Sequence, residues 1–147
     1  MTTHRQVTVV RRETGEYVAH NDRGGVLPVS ASGGPEFTPV ELLMVAIAAC
    51  TAVDVDTVTS RRAEPTTFQA RVDAEKVRDE GGSILSDIRV TFDVRFPDGP
   101  EGDAARSVLA RALQVSHDRT CTVSRTVEAG TPVEVVLGRI EPDEDGA

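Results

Sequence analysis

Two cysteines, Cys50 and Cys121, are the residues of this chain best suited to chemistry. A thiolate attacks the distal oxygen of a peroxide and becomes a sulfenic acid. A second thiol condenses with it to a disulfide, and a reductant reopens that bond. The two positions are 121 − 50 = 71 apart, so only the fold can join them. A bridge needs Cα atoms about 4.4–6.8 Å apart. Cys50 lies inside a long apolar stretch that reads as a rigid helix, which makes it the better nucleophile candidate. Cys121 follows a helix end among polar residues, which suits a resolving thiol. Taken alone, Cys50 also reads as a small apolar core residue, as free cysteine often does. His4, His20 and His117 with two cysteines form no zinc pattern, so no metal or cofactor is expected. His117 reads as a polar residue at a helix end.

Cys50 is positioned by the stretch Phe37 to Arg62, read as one helix. Thr38 is a good N-cap, Pro39 suits the first helical position, and Glu41 sits three after the cap as a capping-box partner. Phe37 and Leu42 occupy hydrophobic-staple positions. From Leu42 to Val53 the residues are apolar on every side apart from Cys50 and Thr51, the pattern of a buried helix. Asp54 and Asp56 follow too soon for a bilayer span. Asp54 lies one turn after Cys50 on the same side. Unpaired, it would raise the thiol pKa; otherwise it holds an arginine or caps a neighbouring element.

Before that helix, Gln6–Arg11, Tyr17–His20 and Val26–Ser30 read as short strands, with Pro28 placing the third at an edge. After it, Thr67–Arg78 and Ile84–Phe96 alternate with period two and turn at Asp79-Glu80-Gly81-Gly82, a long hairpin with one buried face. Asp103–Ser116 reads as a second helix and Pro132–Ile140 as a last strand. The fold class is α+β, with antiparallel sheets around a buried central helix. Residues 1–140 form one domain, and 141–147 an acidic disordered tail. Two sheet edges and one helix cover an all-round apolar helix poorly, which points to an intertwined homodimer.

Charge and composition exclude several classes. The formal net charge of −8 argues against nucleic acid, whose phosphates need a basic face, and against anionic membrane surfaces. With no Trp, one Tyr and four Phe, a base-stacking platform is not expected. The opening MTTHRQVTVV lacks the apolar core of a signal peptide, so the expected location is cytoplasmic, where free or redox-active thiols are the rule.

The segments Pro39-x-Glu41-Leu42-Leu43 and Ala48-Ala49-Cys50-Thr51-Ala52-Val53-Asp54 resemble the signature helix of the osmotically inducible protein C (OsmC)-like family, which includes the organic hydroperoxide resistance proteins. Cys121-Thr122-Val123-Ser124 is similar to that family's second cysteine site. The resemblance implies an intertwined dimer with its active site at the interface. It also implies peroxidase chemistry on organic hydroperoxides in the oxidative stress response, with a dithiol reductant, for which a lipoyl-type dithiol is one candidate. It further implies an arginine from the N-terminal strands near the reactive sulfur. Arg12 is the best match, with Arg11 beside it and Arg23 at the next turn. Peroxidase members carry a glutamate directly after the helix-start proline, which orients that arginine. Here the position is Val40, and the adjacent Glu41, the candidate carboxylate, is rotated about 100° around the helix. The alternative is a non-catalytic OsmC-like protein that binds a small apolar molecule or senses redox state.

Overall fold

The structure is a computed structural model that describes residues 1–31 and 33–141. The expected tail lies outside the described residues except for Glu141. The chain begins with an antiparallel meander of β1 (Val7–Glu13), β2 (Glu16–Asn21) and β3 (Val26–Ser30), in the order β1-β2-β3. Pro28 pairs with Val18 on the edge strand β3, the place where a missing N–H costs no ladder bond. Near the β1–β2 turn the pairing passes from Arg11↔Tyr17 to Glu13↔Glu16, so Arg12 is the extra residue of a β-bulge.

Helix α1 (Pro39–Thr59) starts as its sequence dictates. Thr38 Oγ1 accepts from the Glu41 N–H at 3.2 Å, and Glu41 Oε1 accepts from the Thr38 N–H at 2.9 Å. The helix packs against β4, α2 and α3, defined next. Within the chain its burial is one stripe, Ile47, Thr51, Val55 and Thr59, spaced by four. The other sides are not covered by this chain, and Val53 is 65% exposed. By length and composition α1 is also long and apolar enough to cross a membrane. Asp54 nonetheless ties it to a neighbouring polar turn.

Strands β4 (Thr67–Asp79) and β5 (Gly82–Arg95) form the long hairpin, with Phe68↔Val94, Ala70↔Phe92 and Val72↔Val90 facing each other. The Phe68 and Phe92 rings meet edge to face at 6.4 Å. Pairing runs from Asp73↔Arg89 to Glu75↔Ser86, so β5 carries one extra residue there. Asp87 has φ 51°, the left-handed conformation that Asp tolerates better than most residues. Helix α2 (Pro100–Val115) then packs on α1, closing a small core of Ala63, Phe96 and Ala105 flanked by Val94 and Leu109. A Cβ on Gly102 would lie 1.7 Å from the Pro97 carbonyl oxygen, so only glycine lets α2 begin there.

Two expectations fail beyond this point. A π turn (Ser116–Thr120) leads directly into a third helix, α3 (Thr122–Ala129), which ends at Gly130 in the left-handed conformation, φ 64°. The sequence predicts only a polar stretch around Cys121 there. The expected strand Pro132–Ile140 is absent: this segment pairs with no strand among the described residues, and its Val133, Val135, Val136, Leu137 and Ile140 are exposed. Alternating apolar residues supply a strand's faces, but a strand exists only where its backbone finds a partner edge.

Candidate active site

The fold brings the two cysteines together. Cys50 comes from the middle of α1 and Cys121 from the junction of the π turn with α3, and their thiols lie within hydrogen-bonding reach. Both are free thiols. Cys121 is 0% exposed, so the expected polar loop context is corrected: this sulfur is buried and serves as the N-cap of α3. The Ser124 N–H donates to Cys121 Sγ at 3.4 Å, and the Cys121 S–H donates to Ser124 Oγ at 3.3 Å. Cys50 is only partly buried.

The surroundings separate the two thiols in acidity. Burial is the largest influence on Cys50 and pushes its pKa up. The Val123 backbone N–H, at the start of α3, opposes this, while Cys121 and Asp54 push it further up. The outcome is a Cys50 pKa above the ordinary thiol value. Burial is also the largest influence on Cys121 and again acts upward. There it is outweighed by hydrogen bonds from the Ser124 hydroxyl and N–H, the Thr51 side chain and the Cys50 thiol, and the pKa falls below its ordinary value. A hydroxyl rotates to donate once the sulfur is ionised.

Asp54 takes the capping option read from the sequence. Its Oδ2 accepts from Ser116 Oγ at 2.7 Å and from Thr120 Oγ1 at 2.9 Å, pinning both ends of the π turn to α1. It still adds to the rise in the Cys50 pKa. His117 sits at a helix end as expected, with Nδ1 2.9 Å from Asp118 Oδ1 and Nε2 2.8 Å from Glu128 Oε1. These carboxylates, Asp118 first, raise its pKa.

Next to Thr51 and Ser124 lies a cavity of about 580 Å³, whose lining includes neither cysteine. Thr51 and Ser124, the two side chains that bond Cys121, line it together with Ile47. β5 supplies Leu85, Ile88, Val90 and Phe92. Leu85 and Ile88, an odd number of residues apart, share this wall because the bulge between them reverses the alternation. Ser86, Asp87, Leu113, His117, Val127 and Glu128 complete the lining.

The other residues singled out in the sequence stand apart from the thiols. Glu41 is committed to the capping box, which lowers its pKa through the Thr38 N–H first. Arg11 donates to Thr14 Oγ1 at 3.0 Å, and Arg23 pairs with Asp22 at 3.3 Å. Arg12 is exposed on its bulge, and no arginine contributes to the acidity of either sulfur. Sequence reasoning missed Thr51, Ser124 and the Val123 N–H. The available signal was Ser124 standing three after Cys121, the spacing at which an N-cap side chain meets a backbone N–H.

Comparisons with known proteins identify the family and the fold. The family model for OsmC-like protein matches residues 32–136. An uncharacterized protein of Mycobacterium tuberculosis is 32% identical over 133 residues, covering 88% of this chain and 93% of its own. Among solved structures, an OsmC-like protein from Mycoplasma pneumoniae superposes with a TM-score of 0.68 at 16% identity, covering 87% of this chain and 89% of that one. The organic hydroperoxide resistance protein OhrB of Bacillus subtilis superposes with a TM-score of 0.51 at 19% identity, covering 85% and 90%. With an α+β fold shared with these structures and a family match over most of its length, the chain belongs to the OsmC-like protein family.

Proposed function

We propose that this protein is a thiol-dependent peroxidase that reduces organic hydroperoxides through Cys50 and Cys121. The observation that carries the reading is the contact between two free thiols from distant parts of the chain, beside an apolar cavity. Cys50, the more accessible sulfur, is the nucleophile. Once Cys50 has given up its proton, its sulfur takes the distal peroxide oxygen. The O–O bond breaks, the hydroperoxide leaves as an alcohol after gaining a proton, and Cys50 becomes a sulfenic acid. The Cys121 thiol then displaces water to form the disulfide, and a dithiol reductant restores both thiols. The OsmC-like family, with a neighbour named for organic hydroperoxide resistance, supports the same substrate class.

The working form in this proposal is a cytoplasmic, intertwined homodimer. The uncovered sides of α1 and the unpaired apolar segment 132–140 are what a second copy would cover. The partner's N-terminal sheet would bring Arg12 to the thiols, its bulge aiming the guanidinium off the strand. Light scattering at low micromolar concentration should give twice the chain mass; a well-behaved monomer would defeat this part.

The direct test is steady-state consumption of cumene hydroperoxide with a dithiol. Wild type should turn over, and Cys50→Ser should not. Cys121→Ser should undergo one oxidation and then overoxidise at Cys50. Consumption no faster than free thiol would remove the peroxidase reading. It would favour a second one, a binder or redox sensor using the same cavity, for which Val40 and the raised Cys50 pKa speak.

A further inference from the structure

The cavity beside the thiols changes character with depth. Its floor is Ile47, Thr51 and Ser124, all buried, and its β5 wall is Leu85, Ile88, Val90 and Phe92 with the polar Ser86 and Asp87 among them. Its charged lining residues, Asp87, His117 and Glu128, are all exposed and form the rim together with the exposed apolar Ile88 and Val127. No Lys or Arg lines it. The one basic group, His117, has a carboxylate on each ring nitrogen, Asp118 and Glu128, so its charge is more than offset. Asp87 reaches the rim because the β5 bulge turns its backbone to φ 51°. A non-glycine residue held there at some conformational cost is a feature to be explained.

We infer that this cavity accepts neutral or cationic apolar molecules and rejects carboxylates, with Asp87 and Glu128 as the selecting residues. A molecule that places its reactive end at the thiols leaves its tail at the rim. A tail carboxylate meets like charge there; a neutral ester or an ammonium does not. Resting on the peroxidase reading, the inference names the substrate as an uncharged hydroperoxide rather than an ionised fatty-acid hydroperoxide. An arginine delivered to the sulfur would act at the floor, on the peroxide end, and leave the sign of the rim unchanged.

Binding tests this without turnover. The neutral fluorophore N-phenyl-1-naphthylamine is displaced from the full chain at pH 7.5 and low salt by dodecanol, dodecylamine or dodecanoate. Dodecanoate should compete more weakly than dodecanol by roughly fivefold, the effect of about 1 kcal/mol of charge repulsion near a surface. Added salt should narrow the gap. Asp87→Asn with Glu128→Gln should close it by strengthening dodecanoate and weakening dodecylamine while leaving dodecanol unchanged, which separates the rim from the overall acidity of the chain. Equal competition by dodecanoate and dodecanol in wild type, a gap unmoved by the double variant, or no fluorophore binding would each overturn the inference. In turnover, linoleic acid hydroperoxide should have a lower kcat/KM than its methyl ester. If neither is consumed while the binding gap holds, the peroxidase reading fails and the selectivity stands.

Discussion

The backbone N–H of Val123 lies near enough to the sulfur of Cys50 to favour its anion, so α3 turns its first residues toward a thiol on α1. That contact pulls the thiol toward its anion, while burial, the neighbouring sulfur and Asp54 pull the other way and prevail. The site holds a pair in which the accessible thiol is the weaker acid and the buried one the stronger.

Reaction at Cys50 should therefore climb with pH. Below the pKa the thiolate fraction rises about tenfold per pH unit, and the raised pKa keeps that slope running past the usual thiol value of about 8.5. Iodoacetamide labelling of wild type, followed by peptide mass spectrometry from pH 6 to 10, checks this. Cys50 labelling that levels off below about pH 7 would contradict the balance of effects described.

Asp54→Asn separates charge from hydrogen bonding. The amide oxygen can still accept from Ser116 and Thr120, so stability should change by less than about 1 kcal/mol. With the negative charge gone, Cys50 should label faster at a given pH. Asp54→Ala should instead cost about 1–3 kcal/mol, because the Ser116 hydroxyl, 1% exposed, loses its acceptor. Urea melts and labelling rates on both variants report the two effects independently.

Val40→Glu restores a carboxylate directly after Pro39. Paired with an arginine of the N-terminal sheet, it would fix the guanidinium's direction as well as its charge. The expected outcome is a lower Cys50 pKa and faster hydroperoxide reduction, with labelling of Cys50 in a Cys121→Ser background as the measurement. Slower labelling at every pH would mean that the new charge acts only as repulsion.

His117 has a pKa raised by Asp118 and Glu128. A group raised on folding contributes stability that is fully present below its unfolded pKa, about 6.5, and is lost as pH rises through the folded value. Wild type should therefore exceed His117→Gln in Tm most between about pH 5 and 6. The gap should close toward pH 9. A gap that widens with pH would exclude these ion pairs as the cause.

Much of this molecule was legible in the sequence because the signals were local. Thr38 and Glu41 specify the start of α1 by themselves, and the alternation around Phe68 and Phe92 specifies the hairpin. The cysteine pair was legible through the motifs around Cys50 and Cys121. The misses have physical causes. Asp87 breaks the β5 period by one residue, and no residue type announces a bulge. Helix α3 has eight residues, too few for a strong periodic signal, although Gly130 marks its end. Pro132–Ile140 has a strand's pattern without a partner edge in this chain. The all-round apolarity of α1 was plain, but the described residues bury only its Ile47, Thr51, Val55 and Thr59 stripe.

A sulfur atom begins α3. Serine is among the preferred residues at an N-cap, and oxygen accepts a hydrogen bond better than sulfur does. Cys121→Ser, the usual inert control for a thiol, is then not inert here. It should tighten the first turn of α3, shift the Val123 N–H that faces Cys50, and slow amide exchange at Ser124. Rates measured on Cys50 in that background carry an altered scaffold as well as a missing thiol. Cys121→Ala, which removes the cap altogether, errs in the opposite direction, so the two controls bracket the native behaviour.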